Sequence, residues 1–220
     1  MTLLLIIFAF LLLPVFYNVL IPFKPPVLDN YFTPGQTFES KGEGIKQTVI
    51  RQIGNKVYNE LVLGPKALGP PEHIHLSFDE SATVNKGTLS VYIDGEVKKV
   101  RAGERAKIFK GQEHRFYNET EEEVHISSDK EEDGIPVEFA YCLAQLYPYL
   151  KKSNKMSVQI LMKIAVLDDM FDTYPKGGVI AFKTLKKIIK PYARLLGYTP
   201  YDEKSKPLKK TLISEKKTGG

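Results

Sequence analysis

Three of the chain's four histidines fall in two short segments, His73-Ile74-His75 and Gly111-x-x-His114, with Glu80 between them. His73 and His75 stand at i and i+2, so on an extended strand both imidazoles point to the same face and can reach one ion. Imidazole nitrogens with one carboxylate oxygen make a borderline donor set. That set suits Fe, Mn, Ni, Cu or Zn, whereas Ca and Mg prefer shells of oxygen alone. Four protein ligands on a metal that takes five or six leave one or two positions for water, substrate or dioxygen. Taken alone, His73 and His75 read as polar strand residues and Glu80 as a solvated charge. His114, with Gly103 and Gly111 ahead of it and Asn118 behind, tips the balance toward a site.

Other chemistries find little support. Cys142 is the single cysteine of 220 residues, which excludes an intramolecular disulfide framework and a Cys-rich zinc cluster. No phosphate loop, nucleophile elbow or dinucleotide fingerprint is present. The fourth histidine, His125, alternates with Val124 and Ile126, so it faces outward if they face the core. At 43% hydrophobic and 26% charged, the composition is that of a folded protein rather than a disordered one.

The elements that must position these residues are strands. Thr48 to Ile53, Val57 to Leu63, Thr88 to Ile93, Glu96 to Val100 and Val124 to Ser128 are short alternating runs separated by turn residues. Asp94-Gly95 between two such runs is a hairpin signal, because both turn positions need positive φ. Many short strands followed by helices predict a sandwich or a small barrel.

At these residues the chain resembles the cupin superfamily. Pro70-Pro71-Glu72-His73-Ile74-His75-x4-Glu80-x6-Gly87 is similar to the first cupin motif, and Gly103-x7-Gly111-x2-His114-x3-Asn118 to the second. The resemblance implies a mainly β fold, a jelly-roll barrel of the RmlC-like kind. It implies that His73, His75, Glu80 and His114 ligate one metal inside it, and that Gly87, Gly103, Gly111 and Asn118 serve the turns. Two positions depart from the motifs: Ala67 stands where the first usually opens with Gly, and Phe109 replaces the Pro of the second.

Both ends extend beyond this unit. Leu3 to Leu13 is an unbroken apolar run that resumes after Pro14, and no charge precedes Lys24. About 22 helical residues at ~1.5 Å each span roughly 33 Å, enough for a hydrocarbon core of about 30 Å. The run lacks a basic leader and a small-x-small cleavage site, so it reads as a retained single-pass anchor rather than a signal peptide. Lys24, Lys41, Lys46 and Arg51 on its C-terminal flank lean the rest of the chain toward the cytoplasm. After the barrel, helical stripes run through Phe139, Leu143, Leu146, Tyr147 and Leu150, through Val158, Leu161, Met162 and Ala165, and through Ala181, Leu185, Ile188, Ile189, Tyr192, Leu195 and Leu196. From Lys176 to Gly220 there are 12 Lys/Arg against 3 Asp/Glu. This region reads either as helices covering the barrel with a solvated charged face, or as a basic helix, 179–198, lying on an anionic membrane. Clustered Arg and a reader motif are lacking, which argues against nucleic acid. Ser153-Asn154-Lys155-Met156 and Ala193-Arg194-Leu195-Leu196-Gly197-Tyr198 resemble the helical tail of a set of cupin-domain proteins.

The expected organisation is therefore a transmembrane helix over 1–23, a linker arm over 24–44, the cupin barrel over 45–130, a helical extension over 131–200 and a disordered basic tail over 201–220. The expected cofactor is one divalent transition metal, and the expected partners are a membrane and a small-molecule ligand, with room for a homodimer. Two functions stay open. One is a metal-dependent oxygenase or isomerase on a small organic substrate, with Glu80 leaving the metal to act as base. The other is a non-catalytic metal-binding or scaffold module tethered to the membrane.

Overall fold

The computed structural model describes residues 12–22 and 26–201. Ten strands precede three long helices. The strands are β1 (Thr37–Ser40), β2 (Ile45–Ile53), β3 (Lys56–Leu63), β4 (Glu80–Lys86), β5 (Thr88–Ile93), β6 (Glu96–Arg101), β7 (Arg105–Ile108), β8 (His114–Tyr117), β9 (Val124–Ser127) and β10 (Ile135–Pro136). The helices are α1 (Val137–Leu146), α2 (Val158–Leu167) and α3 (Val179–Leu195).

All pairing is antiparallel, in two sheets. The larger runs β1-β2-β3-β9-β4-β7, with β10 also on β3, and the smaller runs β6-β5-β8. Among the described residues no ladder between strands joins the two sheets, so the expected closed barrel is instead an open pair of facing sheets. The reason lies at Gly87, which alone separates β4 from β5. Its φ of 82° is open to glycine at no cost and turns the chain from one sheet into the other. A side chain there would also meet the Glu123 carbonyl at 2.9 Å. The hairpin at Asp94-Gly95 forms as its composition predicts, with φ of 48° and 100°.

Two cores result. Leu63, Val84, Leu89, Val91, Ile108, Val124 and Ile126 fill the space between the sheets. Phe32, Phe38, Val49 and Val57 pack on the other side against Tyr141, Leu146, Ile164 and Leu167 of the helices. The stretch read as a linker arm thus belongs to the fold from residue 32 on. β1 pairs with β2 from Thr37↔Thr48 to Ser40↔Ile45, and Phe32 and Phe38 are buried. The short run Thr37-Phe38-Glu39-Ser40 lies among Pro and Gly residues that read as a stalk; two aromatic side chains with a core to enter outweigh that local signal.

Of the expected anchor over 1–23, residues 1–11 and 23 lie outside the described residues. In its described part, 12–22, residues 12–20 are helical and leave Leu13, Phe16, Val19 and Leu20 exposed. Among the described residues no helix is long and apolar enough to cross a membrane. Of the basic tail, only Tyr201 is described.

α3 presents a different face inward from the one its apolar stripe suggests. Lys186 and Ala193 are buried, while Ile180, Leu185, Ile188 and Leu195 face solvent. Polar bonding selects that face. Lys186 Nζ donates to the Asp168 carbonyl at 2.7 Å and lies 5.1 Å from the Tyr174 ring centroid. Lys190 pairs with the Asp168 carboxylate. Arg194 donates to Asn18 Oδ1 at 2.5 Å and to the Ile21 carbonyl, which fastens the 12–20 helix to the end of α3. Part of the charge read as a solvated basic face is therefore internal bonding.

Candidate metal centre

The three histidines are brought together by backbone, not by one strand. His73 and His75 lie on an extended segment before β4. His73 bridges to His114, the first residue of β8, with N–H···O distances of 3.1 and 2.9 Å. Ile74 bridges to Tyr174 at 2.8 and 3.1 Å, so this short segment is held from both sides. Glu80 opens β4, opposite Ile108 of β7. One donor atom from each of His73, His75, Glu80 and His114 lies within 4.8 Å of all the others.

The orientation of the rings is fixed by three backbone carbonyls. His73 Nδ1 faces the Pro71 carbonyl at 2.8 Å, His75 Nδ1 that of Asp172 at 2.5 Å, and His114 Nδ1 that of Gln112 at 2.9 Å. A carbonyl only accepts, so each Nδ1 carries a proton and each Nε2 is turned to the common centre, where it offers a lone pair whenever it is not itself protonated. His73 Nε2 and His75 Nε2 stand 3.3 Å apart, and Glu80 Oε2 lies 3.0 Å from His114 Nε2 and 3.6 Å from His75 Nε2. Buried acceptors this close repel unless a proton or a metal ion lies among them. The donor set therefore fits a metal ion, and the Nδ1–carbonyl bonds are the outer supports that such imidazole ligands use.

The electrostatics agree. Burial, then the neighbouring His75 and His114 rings, push the His73 imidazole down to about 3, so it stays neutral. Burial alone would raise the Glu80 carboxyl, but bonding to His114 and His75 holds it well below the usual carboxylate range. Burial would lower His114, but its hydrogen bond and charge contact with Glu80 raise it instead. Glu80 is thus an anion placed to neutralise one positive charge at the centre.

Residues 59–128 match the family model described as the cupin domain. Over this segment, from β3 to the end of β9, the chain is similar to the cupin domain. Solved structures with likeness to the chain include KdgF from Halomonas sp., at 16% identity and a TM-score of 0.37, covering 41% of this chain and 81% of that one. An RmlC-like cupin from Shewanella frigidimarina has 19% identity and a TM-score of 0.37, covering 44% and 87%. A cupin-superfamily sugar phosphate isomerase from Silicibacter pomeroyi has 20% identity and a TM-score of 0.36, covering 47% and 73%. No curated protein matches the chain.

Within the cupin domain the four expected ligand positions converge, and the turn residues do what their motif positions imply. Gly103 and Gly111 have φ of 89° and 84°. Asn118 donates to the carbonyls of Gly64 and Glu122 at 2.8 and 2.7 Å and accepts from the Thr120 N–H at 2.9 Å. The two departures are accommodated: Ala67 is buried with the positive φ passed to Lys66, and Phe109 is exposed beneath the Lys107 ammonium. His125 lies apart from the centre, beside Glu123 at 3.2 Å.

Sequence reading missed what the helical extension adds. Asp172 supplies the carbonyl for His75, and its carboxylate accepts from the N–H groups of Leu76 and Ser77 and from Ser77 Oγ, at 3.0, 2.8 and 2.6 Å. Phe78 stacks on His75 at 4.3 Å between centroids, and Phe139 of α1 meets the same ring edge-on at 4.8 Å. Asp172 lies 97 residues from His75, and no motif spacing links two positions so far apart. The one available signal was the loop Phe171-Asp172-Thr173-Tyr174, where a carboxylate sits between aromatic residues shortly after Asp168-Asp169.

Proposed function

We propose that this chain is a membrane-tethered, metal-dependent cupin-domain enzyme that carries out an oxygenase or isomerase reaction on a small organic molecule. His73, His75, His114 and Glu80 would hold one divalent transition metal, drawn from Fe, Mn, Ni, Cu and Zn. The observation that carries the reading is the set of three Nδ1–carbonyl bonds, which turns three Nε2 lone pairs and one carboxylate oxygen onto a single point. When bound, the metal supplies Lewis acidity or a site for dioxygen.

The chain's own residues do the rest. Glu80 balances charge at the centre, and its 3.0 Å bond to His114 gives it a partner with which to share a proton if it acts as base. Phe78 and Phe139 cover the His75 ring and exclude water from that side. Tethering is supported by the exposed Leu13, Phe16, Val19 and Leu20 and by the exposed stripe of α3 beside them. The proposed orientation keeps the cupin domain on the cytoplasmic side.

The test is direct. The full chain is purified, its metal identified by mass spectrometry, and oxygen uptake and isomerisation followed with a panel of organic substrates. The reading expects close to one metal per chain, with both metal and turnover lost in His73→Ala and His114→Ala. Tight metal with no turnover would make the chain a binding module, and no metal would overturn the proposal. Flotation with anionic vesicles, comparing the full chain with one beginning at residue 24, tests the tether.

A further inference from the structure

The metal cluster forms one wall of a cavity of about 660 Å³, a size suited to a bound organic molecule. The sheets contribute Leu61, Leu63, Phe116 and Ile126 to its lining, and the helical extension closes it with Phe139, Leu143, Leu146, Leu150, Ile160 and Ile164. Outside the cluster the polar lining comes from Glu43, Glu72, Arg115, Asn154, Lys155 and Thr173 with the hydroxyl ends of Tyr147 and Tyr174, and the rest of the wall is apolar. Burial raises the Glu43 carboxyl and so favours its uncharged form. A polyhydroxylated ligand would set many of its hydroxyls against the apolar part of the wall, where an unpaired hydroxyl is penalised. An aliphatic or aromatic body loses nothing against these walls and gains from leaving water.

Arg115 adds a second, polar requirement. It follows His114 in β8, and its buried Nε has no hydrogen-bond partner. The guanidinium lies over the Tyr117 ring, 4.4 Å from its centroid, and Nε forms only a loose ion pair with Glu72 at 3.9 Å, beyond hydrogen-bonding range. A guanidinium on a cavity wall whose Nε makes no hydrogen bond, and whose one carboxylate partner is this distant, can take an oxygen acceptor from a ligand. Phe182 of α3 also lines the cavity, and that helix exposes Ile180 and Ile188 on its outer side. The ligand space is thus walled in part by the element that presents apolar surface outward.

We infer that the substrate of this centre is an apolar molecule with a single oxygen-acceptor head group, a carboxylate or carbonyl, its body lying between the sheets and helices α1 and α2 and its head toward Arg115 and the histidines. The inference rests on the proposed metal-centred function and adds the chemical class of the substrate. It also gives the helical extension a role, since α1 and α2 make the cavity apolar.

The test uses the full chain in phosphatidylcholine nanodiscs and decanoic acid carrying a diazirine as photoprobe. Metal content is measured on the same preparation. The expected result is labelling of peptides holding Leu143–Leu150 or Ile160–Ile164, competed about tenfold by unlabelled decanoic acid and unaffected by glucose. Leu143→Lys should lower that labelling about fivefold with metal content unchanged, which also establishes that the variant folds. Arg115→Gln should weaken competition by decanoic acid more than by decane. Metal present with no labelling in these helices, or glucose competing as well as decanoic acid, overturns the substrate class and leaves the metal reading standing. A chain without metal overturns both.

Discussion

His75 donates its Nδ1 proton to the backbone carbonyl of Asp172, 97 residues away, at 2.5 Å. The bond joins the cupin domain to the helical extension at the centre itself. The Asp172 carboxylate then secures the segment just after His75 through Leu76 and Ser77. Removing that carboxylate frees the segment without touching a ligand. Asp172→Ala should weaken metal binding about 10–100-fold, the usual cost of losing an outer support. Asp172→Asn, which keeps an oxygen acceptor, should lose less. Competition against a chromophoric chelator measures both.

Glu80 separates holding the metal from using it. Glu80→Gln keeps the size and one acceptor oxygen but removes the charge that balances His114. Metal affinity should fall at least about tenfold, yet the three imidazoles should still load at saturating metal. If Glu80 serves as the base, turnover of the loaded variant should drop about 10²–10⁴-fold. Loaded protein of full activity would confine Glu80 to ligation.

The metal-free protein should lose stability as the medium becomes acidic, and His73 gives the window. Its imidazole sits at about 3 in the folded chain against an ordinary 6.5. Between those values the unfolded chain takes up a proton that the folded chain refuses, so stability falls as pH drops below 6.5, by up to about tenfold in the folding constant per unit. Glu80, held below its ordinary range, adds loss in the same direction below about 4.5. His114 works oppositely: its raised value gives a contribution complete below 6.5 and lost as pH climbs through that raised value. Thermal melts in chelator from pH 8 to pH 4 should therefore weaken most on the acid side, and His73→Asn should flatten that limb.

What could be read from the sequence divides along physical lines. The four candidate ligand residues lie in two short segments whose glycines and hydrogen-bonding turns are local, so residue type and spacing together with the likeness to two cupin motifs pointed to them as one set. The hairpin at Asp94-Gly95 was legible for the same reason. β4 was not, because Glu80-Ser81-Ala82-Thr83-Val84 alternates weakly and only its pairing with both β7 and β9 makes it a strand. The inward face of α3 was not legible either. Periodicity assigns the core side to Leu185 and Ile188, whereas Lys186 is buried by bonding to Asp168, a partner 18 residues away. Open sheet edges and the docking of the extension depend on contacts between distant segments, which composition does not encode.

Asp133 offers the sharpest test of how the extension begins. Its side chain is fully buried where β4 and β7 meet the short turn Glu131–Asp133. Ser81 Oγ donates to it at 2.5 Å, and Arg105 completes the arrangement by an ion pair. Ser81 and Arg105 lie on paired strands, near the Ala82↔Ala106 pair, so one carboxylate ties two strands to the chain leaving the β domain. Asp133→Ala would leave the guanidinium half-sheltered with a weaker partner and the Ser81 hydroxyl without its acceptor. A loss of about 2–3 kcal/mol is expected from the buried pair and hydrogen bond together. Glu132 also meets Arg105, at 3.0 Å, but its side chain is 63% exposed; solvent screens that pair, so Glu132→Ala should change stability little. Urea unfolding should show Asp133→Ala clearly less stable than Glu132→Ala. Equal losses would mean that the surface charge, not the buried carboxylate, holds the junction.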